Sequence, residues 1–546
     1  MLVERMIAPI PETTEEIAQA AFPKGNRYMS MRDELGSIYT DGDFADLFPS
    51  RGQPARHPWR LALVTVMQYA ENLTDRQAAE AVRARIDWKY ALSLELTDPG
   101  FDFSVLSEFR KRLLDGEAEE RLLNVMLEKF QARGLLKARG RQRTDATHVQ
   151  AAIRCLNRLE MVGEALRHAL NEIAGMAPEW LLEQVTPEWF DRYSKRVEDY
   201  RLPKKEKERL ALAETIGQDG YHLLACVYAG DAPAALRGLS AVEILRRIWV
   251  QNYYIDQEGP HWRDKDQIPP PAKRISSPYD PQARYSVKRE VFWLGYKAHF
   301  TETCDAEGPI LITHVETAPA TEQEVRATAR IQQALVEKDL PPREHITDAG
   351  YVSSDLIVES QIQHDIELLG PVGLDQSWQV LAGAGFDQAH FTIDWEAQTA
   401  TCPQGKTSTA WYSHLNHQGD DTIRVRFHHA DCQLCPTRAQ CTRSQSAGRT
   451  LTLLPKAPYL ALQAARDYQK TEDFKTRYTA RAGVEGTISQ AVHTLHMRRA
   501  RYIGLAKTHL QHLATAAAIN LSRAIAWLWE VPRSRTPKSR FAALAP

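Results

Sequence analysis

The spacing of apolar positions changes along the chain, and the changes divide it. From Pro58 to about Phe130 apolar residues recur at helical intervals. The stretch PWRLALVTVMQYAEN opens on a proline, whose missing N–H is harmless in a first turn. Leu73-Thr74-Asp75 makes a short turn with a cap candidate, and RQAAEAVRARIDWKYAL predicts a second helix. After Asp98-Pro99-Gly100, Ser104 stands where it can cap a third helix through SVLSEFRKRLL, with more helix to about Phe130.

The period then shortens. RQRTDATHVQAAI alternates as a strand does, and helix returns from Arg154 to about Tyr254, with a charged linker at 203–210. Residues 259–285 read as loop, rich in Pro and Ser. Strands are expected at 289–305 and 309–318 and a helix over about 321–338. PPREHITDAGYVSS reads as turn, strand, Asp348, glycine turn and helix start, and IELLGPVG (366–373) as a short strand. Residues 386–454 are β-like and polar, and helix dominates from Thr471 to Trp529. The most apolar stretch, Leu513 to Val531, is broken by Asn520, Ser522, Arg523 and Glu530. It reads as a packed helix and not as a membrane span.

Composition narrows the class. The 546 residues, at roughly 150 per domain, suggest about three or four domains. With 43% hydrophobic and 25% charged residues, wholesale disorder is excluded. Seven cysteines are too few for a disulfide-stapled secreted scaffold. The start, MLVERMIAPIPETTEE, has no apolar core and carries acids early, so no signal peptide is expected. A soluble cytoplasmic protein is therefore expected. The formal charge of −2 excludes a uniformly basic protein but hides local differences. Segment 1–50 sums to −5, whereas 131–145, 471–513 and 523–546 each sum to +4. Any surface facing nucleic acid must be local. The third predicted helix carries Arg110, Lys111 and Arg112, in a helix-turn-helix arrangement or in a bundle with solvated charges.

Three acids stand out. Asp145 follows a β-like segment, Asp348 ends a strand, and Glu485 lies in a helical run. Phosphodiester chemistry needs such carboxylates, because magnesium prefers oxygen ligands and two such ions can serve attacking and leaving oxygens. Taken singly, each reads more readily as a turn or capping residue. Tyr478, Arg481 and Glu485 stand at i, i+3 and i+7, on one helical face. Gly483 and Gly486 each cost roughly 1 kcal/mol in a helix interior. They make sense where a backbone or ligand approaches closely. Arg498, Arg499, Arg501 and Lys507 follow, as a phosphate-contacting strip or a solvated face. His148 and His299 lie near the core strands and read as structural histidines.

Cys402, Cys432, Cys435 and Cys441 give C-x29-C-x2-C-x5-C, a spacing that suits structural zinc in a small polar β subdomain. His414, His417, His428 and His429 are nearby substitutes, and free thiols or a redox pair are the alternatives. Cys155, Cys226 and Cys304 read as ordinary buried thiols.

TDATHVQA, DPQARYSVKR with FWLGYKAHFTE, ITDAGYVSS, and RAGVEGTISQAV with RRARYIGLAKTHLQHLATAAAINLSR together resemble the DDE transposases of bacterial insertion sequences. The likeness is to the group with a Tyr-x2-Arg-x3-Glu-x6-Lys signature and covers most of the chain. It implies an α/β fold: an RNase H-like catalytic core (a mixed sheet flanked by helices) with an N-terminal all-α DNA-binding domain, a helical insertion and a β-rich zinc-bearing insertion. The corresponding divisions are 1–130 for the DNA-binding domain and 131–153, 275–370 and 471–530 for the core. The helical insertion is 154–274, the cysteine-containing insertion 371–470, and the basic tail 531–546. By resemblance Asp145, Asp348 and Glu485 are metal-binding acids for two magnesium ions, with manganese as the alternative. Tyr478 and Arg481 fit the Tyr and Arg positions, and the Lys position holds Val492. The implied activity is metal-dependent cleavage and strand transfer on the element's terminal repeats and target DNA. A homodimer or larger assembly near the bacterial nucleoid is implied with it. A domesticated derivative that only binds DNA is the competing reading.

Overall fold

The computed structural model describes every residue except 1, 3–5, 50, 53–54, 258, 289, 417–418, 533–539, 541–543 and 545–546. His417 and most of the basic tail therefore lie outside the described residues.

The centre is a six-stranded mixed sheet. Its strands are β1 (Arg141–Gln150), β2 (Arg284–Lys288), β3 (Val291–Thr303), β4 (Ile312–Pro319), β5 (Glu344–Ile346) and β6 (Glu367–Leu369). The long β3 pairs antiparallel with β1 along one edge, and with β2 and then β4 along the other. On its far side β1 pairs parallel with β5, and β5 with β6. Parallel strands need covered faces, which helices here supply. The Leu505–Leu528 helix packs on β4 and on the Pro58–Ala70 and Arg121–Ala132 helices. Asn520 fixes its register. Its side chain accepts from Ile312 N at 2.7 Å and donates to Ile312 O at 2.8 Å. One hydrophobic core thus runs from the N-terminal helices through the sheet to this helix. The apolar stretch read as a packed helix is largely buried there as far as Ile525, while Trp527, Trp529 and Val531 are exposed, and no helix among the described residues is long and apolar enough to cross a membrane.

Among the described residues the two larger of the remaining cores are separate from it. One is helical, built on Arg158–Met176, Glu206–Tyr228 and Ser240–Asn252. The other is formed by short strands between Thr392 and Leu453, around Phe391, Phe427 and Leu451.

Local chemistry explains where elements break. The helix expected over RQAAEAVRARIDWKYAL is two, Asp75–Ala84 and Ile86–Ala91, because Arg85 turns extended to pair with Glu71 and, at 2.6 Å, with Asp87. The cap before the first of these is Thr74, in a reciprocal capping box with Gln77. Ser104 is the first helical residue rather than the cap. Asp102 Oδ1 accepts its N–H at 2.9 Å. The loop expected at 259–285 contributes Gly259–Trp262 to a hairpin with Tyr253–Asp256. Cys155 is exposed, not buried as expected.

Candidate active site

β1 is the central strand, and Asp145 lies in its middle rather than after it, opposite Phe300 of β3. Asp348 lies two residues beyond β5 and caps a short 3-10 turn, accepting from Gly350 N at 2.8 Å. Tyr478, Arg481 and Glu485 do not share one continuous helix. Tyr478 ends Glu472–Tyr478, Arg481 sits in the 3-10 turn Thr479–Ala482, and Glu485 is in the first turn of Gly483–His493.

The break has a cause at Gly483. A Cβ there would overlap the Arg143 guanidinium, which reaches from β1 to the Ala480 carbonyl. Gly483 therefore permits the close approach expected of it, whereas Gly486 faces open space. Arg143 is also paired at 2.6 Å with Glu302, its cross-strand partner on β3. Glu302 is fully buried, takes Arg523 at 3.0 Å and accepts from Thr487 at 2.5 Å. This network clamps the helix that carries Glu485 onto the sheet.

The three acids meet around one guanidinium. Arg481 Nη2 lies 2.7 Å from Asp145 and 3.9 Å from Asp348, and Nη1 lies 3.1 Å from Glu485. Asp145 is the most enclosed of the three, while the Glu485 side chain is 65% exposed. Burial pushes the Asp145 carboxyl up, Arg481 pulls it down, and Asp348 pushes with the burial. Burial also raises the Tyr478 phenol, whose ring stacks on Phe474 at 5.3 Å. Arg481 Nε is buried without a hydrogen-bond partner.

Two neighbours, Glu324 and Tyr351, had no signal in the sequence. Glu324 is a fourth acid, near Asp348 on the other side of Gly350 and neutralised by Lys297 at 3.3 Å and Lys288 at 3.8 Å. Tyr351 is buried beneath, its hydroxyl 2.6 Å from His299 Nδ1. Burial lowers His299 to about 3, so it is a neutral, hydrogen-bonded histidine. His148, lowered to about 4 by burial and by Arg498, lies against that guanidinium.

The basic candidates separate by exposure. Arg110 is not on the surface. It is buried and paired with Asp75 at 2.5 Å. Lys111 is exposed, and Arg112 is half-buried over Phe48. Arg498 holds Thr147 and His148 on β1. Arg501 donates to Leu73 O at 3.0 Å and covers Tyr69, so it joins two parts of the fold. Arg499 and Lys507 are exposed. Val492, at the Lys position of the signature, is buried, where an ammonium would be costly.

Among the described residues, no group of three or more His, Cys, Asp or Glu side chains is set to hold a metal ion. At the acids the central position is taken by Arg481. The zinc set expected at Cys402, Cys432, Cys435 and Cys441 is likewise not formed as a closed group, although all four thiols line one cavity of about 30 Å³.

Two family models match the chain. One, described as "Transposase domain (DUF772)", covers residues 16–112, the N-terminal helices. The other, described as "Transposase DDE domain", covers 401–525, including the cysteines, Arg481 and Glu485. No curated protein and no solved structure matches. DDE transposases act on DNA and typically use a divalent metal. Matched over residues 16–112 and 401–525, the chain carries two transposase domains, the second a DDE domain, which supports a DDE transposase of a bacterial insertion sequence.

Proposed function

We propose that this chain cuts the terminal repeats of its insertion sequence and joins the freed ends to target DNA, with Asp145, Asp348 and Glu485 as the acids of the centre. The observation that carries this reading is their convergence from three distant segments on one guanidinium. An RNase H-like core is supported by the strand order β4–β3–β1–β5–β6, in which only β3 runs antiparallel to β1. The divisions 1–130, 131–153 with 275–370 and 471–530, 154–274, 371–470 and 531–546 are the domains we assign.

The donor set fits a hard cation, since all three side chains offer carboxylate oxygens. Asp145, Asp348 and Glu485 would hold magnesium or manganese, two ions in all, which when bound supply the Lewis acidity for phosphodiester attack. In the first step a water oxygen bonds to phosphorus and the 3′-oxygen leaves. In the second the freed 3′-hydroxyl bonds to a target phosphorus and the target's own 3′-oxygen leaves, taking up the proton that the attacking hydroxyl loses. Arg481 and Tyr478 line the place where the phosphate sits, the guanidinium offering a bidentate fork. Exposed Lys111, Arg499 and Lys507 serve the DNA backbone, and Arg112, Arg498 and Arg501 have their donors partly engaged within the fold. Pairing two element ends asks for at least two protomers.

The test is cleavage of a terminal-repeat duplex in magnesium. Asp145→Ala, Asp348→Ala and Glu485→Gln each lose cleavage by about a thousandfold or more while retaining end binding. Full cleavage by any one of them removes that residue from the centre.

A structural zinc at the four cysteines is the second element of the reading. It is supported by their shared cavity, and by Lys406 N and Arg449 N, which donate to the Cys402 and Cys432 sulfurs at 3.3 and 3.4 Å. The thiols would have to close around the ion. Zinc well below one per purified chain refutes it.

A further inference from the structure

Three carboxylates and one guanidinium sum to a formal charge of −2 in the candidate site. Both ends of the Arg481 fork are used, one nitrogen on Asp145 and Asp348 and the other on Glu485. We propose that Arg481 is the resident cation of this site, holding the acids together while no metal is bound and releasing them when a divalent ion enters. The inference rests on the assignment of these acids as metal ligands.

Three observations support it. The guanidinium stands between oxygens that an ion must share, and its positive charge opposes a second cation a few ångströms away. With the arginine gone the three carboxylates carry −3, so a divalent ion entering in its place offsets more of the site's charge than the arginine did. And among the described residues the hydrogen bonds and ion pairs of the Arg481 side chain go to the acids alone, whereas its neighbours are also held by groups that bind no ion. It sits on a short 3-10 turn between two helices, and its Nε bonds to nothing. Arg143, by contrast, is locked by Glu302 and the Ala480 carbonyl, and Arg523 by Glu302, Thr487 and Gln490. A released guanidinium has its fork free for two oxygens of a phosphate. Metal loading and phosphate binding would then help each other, since the group that one displaces serves the other.

Manganese binding to the full chain without DNA, followed by electron paramagnetic resonance, tests this. Arg481→Ala and Arg481→Gln are expected to bind manganese about tenfold tighter than the unaltered chain. The gain should vanish when Asp145→Ala is added. The glutamine variant keeps hydrogen-bond donors without charge, so agreement between the two separates charge from loss of packing. Both variants should melt at lower temperature without metal and recover when manganese is added. Equal or weaker binding by both variants, or binding that survives Asp145→Ala, overturns the proposal. Cleavage is scored separately. If the unaltered chain cleaves but removing Arg481 does not tighten manganese, the enzyme reading stands and this one falls. If manganese tightens as expected but no DNA is ever cut, the reverse holds.

Discussion

Two acidic clusters join β1 to the Gly483–His493 helix, and they are built in opposite ways. Around Glu302, one fully buried carboxylate is met by two guanidiniums, Arg143 and Arg523, and by the Thr487 hydroxyl. Around Arg481, one guanidinium is met by three carboxylates. The formal sums are +1 and −2. Arg143 and Asp145 are two apart on the same strand, and Glu485 and Thr487 two apart on the same helix. The same backbone elements therefore carry an acid compensated beyond need and, beside it, acids left short of positive charge. The first arrangement is what a buried structural ion cluster requires. The second sets three carboxylates around a single arginine, and it lies where solvent reaches Glu485. Close to each other, the two differ in the ratio of acids to bases, and it is this ratio rather than acidity alone that favours reading the second as the proposed cation site.

The comparison can be broken by substitution. The largest effect on stability is expected from Glu302→Gln, which leaves two guanidiniums facing no anion in a buried place. A loss of about 3–5 kcal/mol in urea unfolding is expected. Asp348→Asn, in the other cluster, should stay within about 0.5 kcal/mol, because it removes an acid from a group already in excess. The two variants should rank oppositely in DNA cleavage once folded protein is compared. Equal destabilisation would erase the difference between the two clusters.

The glycines sharpen it. Gly483→Ala pushes a methyl into Arg143 and so disturbs both clusters. A cost of about 1–3 kcal/mol is expected. Gly486→Ala meets nothing within 4 Å and should stabilise the helix by up to about 1 kcal/mol. If both alanines stabilise, the close approach of Arg143 is not what the glycine serves.

Periodicity and spacing located most of the helices and the strands of the sheet other than Arg284–Lys288, and the resemblance to the DDE transposases grouped the three acids with Arg481. These are local signals. Proline and capping residues mark helix starts, alternation marks strands, and the family signature lies within one short run. Other features depended on which residues the fold brings together. Arg110 looked like part of a basic recognition helix, but its side chain points inward to Asp75, a residue 35 positions away. Tyr478, Arg481 and Glu485 fall on one face of an ideal helix, yet the turn at 479–482 divides them because β1 sends Arg143 against that backbone. Glu302 gave no hint of its role, since a buried acid is recognised only by the two arginines that reach it from residues 143 and 523. Local order was written in the residues themselves. Charge balance, burial and the standing of an arginine among acids arise from contacts between distant segments, so only the folded chain could decide them.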